Sequence, residues 1–167
     1  MIFYIKKNVR FVKITFLNIG ITDNKNLDAL VCEYETRIKR YTNFQIDYII
    51  PRNISKYKAD EVKRLEGELI LKKITEGAKI ILLDEKGKSY NSREFAYFLQ
   101  DLLNYSNKDV FFITGGAYGF SDEVYSKASG KISLSEMTTT HQLIRLFFTE
   151  QLYRAFTILN NHPYHND

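Results

Sequence analysis

Residues able to do chemistry fall in two places in this chain. The first is Gly115-Gly116 with Gly119, which close the apolar run Val110-Phe111-Phe112-Ile113 in VFFITGGAYGF. Glycine at the end of a buried strand lets backbone approach a ligand closely or take positive φ, and ligands of open α/β sheets bind outside the strands' carboxyl ends. G-G-x-x-G has the spacing of neither the dinucleotide fingerprint nor the P-loop. The stretch therefore reads either as a binding-site wall or as a tight strand-to-helix turn with Ser121 as N-cap. The second place is the C-terminal stretch, where Arg145 and Arg154 interrupt apolar sequence and all three histidines, His141, His162 and His165, occur. A buried arginine needs a carboxylate, a phosphate or a cluster of carbonyls. Arg154 either pairs with Glu150, four residues earlier, or meets a substrate. His141 lies in a first helical turn, where free N–H groups and the helix dipole favour anions and disfavour imidazolium; capping or packing is the other reading. His162, His165 and the distant Cys32 fall short of the ligand count of a closed metal site. No G-x-S-x-G elbow or similar nucleophile motif is present.

The elements that must position these residues follow from periodicity. Phe11 to Ile19 reads as a strand, and Lys25 to Tyr41 as an amphipathic helix with Leu27, Leu30, Val31, Tyr34 and Ile38 on its inner face. Phe44, Ile46, Tyr48 and Ile50 alternate into a second strand that ends at Pro51, and Arg52 to Tyr57 reads as a polar loop. Lys58 to Thr75 is predicted as a charged helix with Val62, Leu65, Leu69 and Lys72 inward and its Glu and Lys residues solvated. Lys79 to Leu83 is a buried strand followed by a turn over residues 84–88; Asn91 with Glu94 is a capping box for a helix from Ser92 to Tyr105. After the glycine stretch come a short helix from Ser121, a strand near Lys131 to Leu134, and a capping box of Thr139 with Gln142. Leu143 to Leu159 is apolar nearly all round, which predicts a dimer partner over the side the sheet does not cover. The alternation of strands and helices predicts an α/β sandwich with a mostly parallel sheet.

The 167 residues make one domain, with 44% hydrophobic and 26% charged residues. A net charge of +4 and a pI near 9.0 permit nucleic-acid binding without arguing for it. The single cysteine, Cys32, reads as a small apolar residue on a helix and suits a reducing cytoplasm. No run approaches the roughly 20 apolar residues of a membrane span, so no membrane partner is expected. Met1 to Arg10 reads as an extra strand or a start-site artefact.

The order GGAYGFS, SLSEMTTTHQLIRL, EQLYRAF and a closing NHPYH resembles the ribosomal RNA large subunit methyltransferase H family, bacterial enzymes of the SPOUT class. The resemblance runs from about Val12 to the last residue and includes KITFLNIG and the LEGE of the second helix. It implies one SPOUT domain over residues 12–167, with residues 1–11 an extension or artefact, and an α/β fold with a C-terminal trefoil knot. It also implies methyl transfer from S-adenosylmethionine to N3 of a pseudouridine in 23S rRNA, on assembled ribosomes, by a cytoplasmic homodimer. Residues matching the family's cofactor loops are Leu83, Gly115, Leu134, Ser135, Glu136, Met137, Thr138 and Thr139. Arg154, Tyr164 and His165 match catalytic positions, and His141, Arg145, Tyr153 and His162 positions on the RNA side. No metal is implied. The family usually carries proline just before the histidine, where this chain has Thr140. A nucleotide-binding regulatory protein and a non-catalytic ribosome-binding factor are the rival readings.

Overall fold

The side chains of β1 (Lys13–Ile19) and β4 (Val110–Thr114) are buried on both faces of the sheet, which therefore carries a helical layer on each side. The computed structural model describes residues 12–104 and 108–165. In chain order the elements are β1 (Lys13–Ile19), α1 (Lys25–Ile38), β2 (Asn43–Ile49), α2 (Ala59–Lys73), β3 (Lys79–Ser89), α3 (Ser92–Asn104), β4 (Val110–Thr114), α4 (Asp122–Lys127), β5 (Gly130–Ser133) and α5 (His141–Leu159). The five strands are parallel in the order β2-β1-β4-β3-β5, which puts β4, buried at every position, in the middle. Ile14, Phe16, Ile81, Val110 and Phe112 face α1, α3 and α5, where Ile38, Phe95, Leu99, Phe148, Leu152 and Phe156 meet them. Leu17, Ile19, Ile80, Leu82, Phe111 and Ile113 face α2 and α4 through Ile70 and Val124. Parallel strands covered on both sides read as continuous apolar runs, which is why β4 stands out in the sequence.

Two caps form as the sequence indicates. The Asn91 N–H donates to Glu94 Oε2 (2.8 Å) and the Glu94 N–H to Asn91 Oδ1 (2.9 Å) at the start of α3. Ser121 Oγ accepts from the Val124 N–H at the start of α4. The expected box of Thr139 with Gln142 does not form. Thr140 caps α5 by accepting from the Leu143 N–H, and Gln142 Oε1 instead accepts from the Asn24 N–H (2.9 Å), tying α5 to the start of α1.

Other expectations are corrected as well. The turn over residues 84–88 is part of β3: the register slips between Leu83 and Lys88, then Lys88 and Ser89 pair with Ile132 and Ser133. Gly87 makes this possible, since a Cβ there would lie 2.7 Å from Ile132 Cα. Ile49 is buried and Ile50 is 63% exposed, because β2 ends between them. Residues 54–56 form a single 3₁₀ turn within the expected loop. Cys32 lies on the exposed side of α1. On α2 the inward residues are Val62, Glu66, Gly67 and Ile70, while Leu65 and Leu69 are half-buried and Lys72, expected inward, is exposed. Residues Met1 to Arg10, the beginning of the expected first strand at Phe11 and the expected helix end at Tyr105 lie outside the described residues.

Helix α5 packs on the sheet between α1 and α3. That position covers most of its circumference, and Leu143 and Phe147, 47% and 38% exposed, are the apolar residues left facing out near its start. Among the described residues, no helix is long and apolar enough to cross a membrane.

Candidate functional site

A cleft of about 290 Å³ opens at the carboxyl edge of β3, β4 and β5. Three loops build it. Leu83, Asp84 and Glu85 come from the irregular middle of β3, Gly115, Gly116 and Ala117 from the turn after β4, and Leu134 to Thr139 from the segment between β5 and α5. His141 and Ile144, in the first turns of α5, close one side. All eight residues matched to cofactor loops, Leu83, Gly115, Leu134, Ser135, Glu136, Met137, Thr138 and Thr139, line this one cleft.

The walls are held by local bonds. Gly119 has φ +79°, a left-handed conformation suited to glycine, and its N–H donates to the Gly116 carbonyl (3.1 Å). The β5–α5 loop turns on Ser133, whose hydroxyl donates to the Ser135 carbonyl (3.0 Å), and on Ser135, whose Oγ accepts from the Met137 N–H (2.9 Å). Met137 itself is 80% exposed. The Tyr125 hydroxyl donates to Asp84 Oδ2 (2.5 Å), and burial together with that carboxylate pushes the phenol up to about 12. Burial first, and the nearby Arg145 second, lower the pKa of His141 below the usual imidazole range.

Helix α2 braces the glycine turn from behind. Gly67 lies against α4 so closely that a Cβ there would be 3.1 Å from Ser121 Cβ and 3.3 Å from Val124 Cγ2. A Cβ on Gly116 would overlap the Glu66 carboxyl group, only 2.7 Å from its Cδ. Sequence reasoning assigned Glu66 to a solvated face, yet it is 4% exposed and burial raises its pKa. The available signal was its place on the stripe Val62-Glu66-Ile70, at i, i+4 and i+8.

The C-terminal residues form a second cluster. Arg154 donates to Glu150 Oε1 through Nη2 (2.5 Å) and Nε (3.1 Å), and the Tyr164 hydroxyl donates to the same oxygen (3.1 Å). Arg154 Nη1 lies 3.3 Å from His165 Nδ1, and its guanidinium sits over the Tyr164 ring. Tyr164 also meets the Tyr34 hydroxyl (3.1 Å) and packs edge-on against Tyr153. Burial and these neighbours raise the Tyr164 phenol well above its ordinary value. The i,i+4 pair of Arg154 with Glu150 forms, and Nη1 is turned to the tail. His162 is exposed, with its N–H donating to the Thr157 carbonyl (2.9 Å).

Arg145 belongs to neither cluster. It is 2% exposed, donates to the Ile19 carbonyl (2.6 Å) and to Thr22 Oγ1 (3.0 Å), and lies over the Tyr48 ring. Along α5, His141 at the cleft and Arg154 in the tail cluster are separated by about 20 Å at 1.5 Å per residue. One chain therefore holds the two halves of the expected site apart. A wider, shallower hollow of about 400 Å³ between Lys86, Tyr125 and Lys131 contains none of the expected residues.

Comparison with known proteins agrees with this architecture. The family described as "Predicted SPOUT methyltransferase" matches residues 12–165. A ribosomal RNA large subunit methyltransferase H of Flavobacterium psychrophilum is 49% identical over 156 residues, covering 93% of this chain and 99% of that protein. Its namesake in Parabacteroides distasonis is 45% identical over 158 residues, covering 93% and 100%. Among solved structures, a probable methylase family protein of Haemophilus influenzae has the same fold, with a TM-score of 0.51 at 14% identity over 92% of this chain and 69% of that one.

Proposed function

This chain belongs to the SPOUT methyltransferase family, and from that premise we propose that it methylates N3 of a pseudouridine in 23S rRNA, using S-adenosylmethionine and acting as a homodimer on assembled ribosomes. The curated relatives carrying the methyltransferase H name match it over nearly their full length, and residues 12–167 form the proposed catalytic domain. The observation that carries the reading is the convergence of eight residues from three separate loops on one cleft.

The cleft fits such a cofactor. Glycine-wall backbone at Gly115 and Gly116 permits close approach, and the loop from Leu134 to Thr139 offers peptide donors and acceptors to adenine and ribose. The carboxylates of Asp84, Glu85 and Glu136 surround the space in which a cationic ligand would lie. S-adenosylmethionine supplies, when bound, a methyl group already activated by its sulfonium. The work left to the protein is alignment of the base and removal of its N3 proton. Arg154, oriented by Glu150, holds a phosphate or a base carbonyl, and His165 accepts the proton while Tyr164 and Tyr153 pack beside it. His162, exposed beside them, and His141, at the cleft, contact the RNA, whose target base is flipped from its stack. Arg145 serves this interface indirectly, by fixing the β1–α1 loop beneath it.

The tail of one protomer meets the cleft of the other. The separation of about 20 Å along α5 within a chain supports this arrangement, as do the exposed Leu143 and Phe147, which a second copy would cover. The segment from β5 through α5 forms the family's trefoil knot, and the protein works in the cytoplasm.

Transfer of radiolabelled methyl from S-adenosylmethionine tests the reading, using ribosomes lacking the modification, naked 23S rRNA, and ribosomes with uridine at the target. Label entering only pseudouridine-containing ribosomes is the expected result. Cofactor binding without any transfer would leave a ribosome-binding factor as the better description, and tighter binding of ATP or NAD a regulatory one.

A further inference from the structure

Glu66 is used by neither the cofactor loops nor the tail, and its setting is unusual for a carboxylate. It is 4% exposed, and its Oε2 has no hydrogen-bond partner. Gly116 separates it from the cleft: the glycine lines the cavity and turns the position of its absent Cβ onto the Glu66 carboxyl group. A residue with any side chain at position 116 would push that carboxyl away. Burial alone raises its pKa, with no charged group of α2, the glycine turn or α4 contributing. A buried carboxylate without a cation is costly, and the fold would not keep one there for stability.

We propose that Glu66 is a specificity residue of the cleft, the counter-charge behind the Gly116 wall that makes the site prefer a sulfonium-bearing ligand over the neutral thioether left after methyl transfer. The inference rests on the methyltransferase reading above. A fixed positive charge in the cleft supplies the partner that Glu66 lacks, across one residue of backbone and in a setting where water screens poorly. Loss of that charge on turnover leaves the carboxylate unpaired again, so the product is held less tightly than the substrate and leaves. The other acids on the cleft are differently placed. Glu85 and Glu136 are exposed to solvent, and Asp84 accepts the Tyr125 hydroxyl. Glu66 is the one sealed from water.

Calorimetric titration of the full chain with S-adenosylmethionine and with S-adenosylhomocysteine, from about pH 5 to about pH 8, tests this. In Glu66→Gln, affinity for S-adenosylmethionine should fall about tenfold while that for S-adenosylhomocysteine changes less than about twofold. In the wild type the preference for the charged ligand should rise with pH as Glu66 ionises, and in Glu66→Gln that rise should be lost. His141, Asp84, Glu85 and Glu136 line the cleft in both proteins, so the difference between the two isolates Glu66. Equal losses for both ligands, or none, would overturn the inference while leaving the methyltransferase reading standing. Wild-type protein that binds neither ligand would overturn both. Should Glu66→Gln fail to fold, His141→Asn decides in its place, because a ligand preference that stays flat with pH there is incompatible with a titrating counter-charge.

Discussion

Arg145 Nη2 donates to the backbone carbonyl of Ile19 across 2.6 Å, joining the second turn of the last helix to the end of the first strand. Both groups are buried, and Nη1 extends the tie to Thr22. Replacing Arg145 by leucine leaves the Ile19 carbonyl without this donor and should cost about 2–4 kcal/mol, a fall in Tm of roughly 5–15 °C. Thermal unfolding followed by circular dichroism checks it. An unchanged melt accompanied by weakened RNA binding would mean that the guanidinium is kept for RNA rather than for the fold.

The position of a Cβ on Gly116 is taken by the Glu66 carboxyl group, which any side chain there would push aside. Gly116→Ala should therefore drive the Glu66 carboxyl from its place behind the cleft wall and weaken S-adenosylmethionine binding about tenfold or more. Once the carboxyl is displaced its removal should cost little more: in Gly116→Ala/Glu66→Ala the two changes should couple by about 0.5–3 kcal/mol rather than add. Strict additivity would place the cause of the loss elsewhere in the cleft.

These two contacts mark where sequence stops being informative. Strand β4 is legible because burial on both faces leaves only apolar residues, and the Asn91/Glu94 box because both partners lie on one short segment. The glycine stretch and the tail are found by motif, and all the residues matched to cofactor loops do line one cleft. Glu66 is misread as solvated, and the partners of the buried Arg145 are not legible, for the same reason. Their surroundings are created by elements distant in sequence, the glycine turn for Glu66 and the β1–α1 connection for Arg145; the stripe Val62-Glu66-Ile70 puts Glu66 on the inward face of α2 but does not say what it meets there. The pairing of Gln142 with Asn24 rather than with Thr139 is likewise a tertiary choice over a local one. The continuation of β3 through residues 84–89 depends on Gly87 lying against Ile132 of the edge strand, which the polar sequence of that stretch conceals.

His141 carries a pH signature whose sign follows from its lowered pKa. Above the ordinary imidazole value of about 6.5, folded and unfolded chains both hold it neutral and it contributes no pH dependence. As pH falls below that value the unfolded chain takes up a proton that the folded chain resists, so stability declines until the folded group titrates too. His141→Asn should flatten this part of the stability profile, measured by urea denaturation at a series of pH values. An identical slope in the variant would show that the imidazole is not disfavoured as a cation in the folded protein.

Arg154, Tyr164 and His165 stand in one cluster about 20 Å along α5 from His141 and the cleft, and the proposed site joins the tail of one chain to the cleft of another. Arg154→Ala should bind S-adenosylmethionine within about threefold of wild type yet lose about a hundredfold or more in single-turnover methyl transfer, since it removes alignment rather than cofactor binding. Gly116→Ala should lose transfer by the opposite route, through the cofactor. Mixing and re-annealing these two defective proteins should regenerate activity, because half of the dimers then pair an intact tail with an intact cleft at one of their two sites. The recovery expected is about a quarter of wild-type activity. Mixed dimers that form, as seen by native mass spectrometry, and remain inactive would place the cleft and the working tail on the same chain. The tail would then have to leave Glu150 and Tyr34 and swing along α5 to reach its own cofactor, and substitutions that loosen the Tyr34–Tyr164 contact would raise activity instead of lowering it.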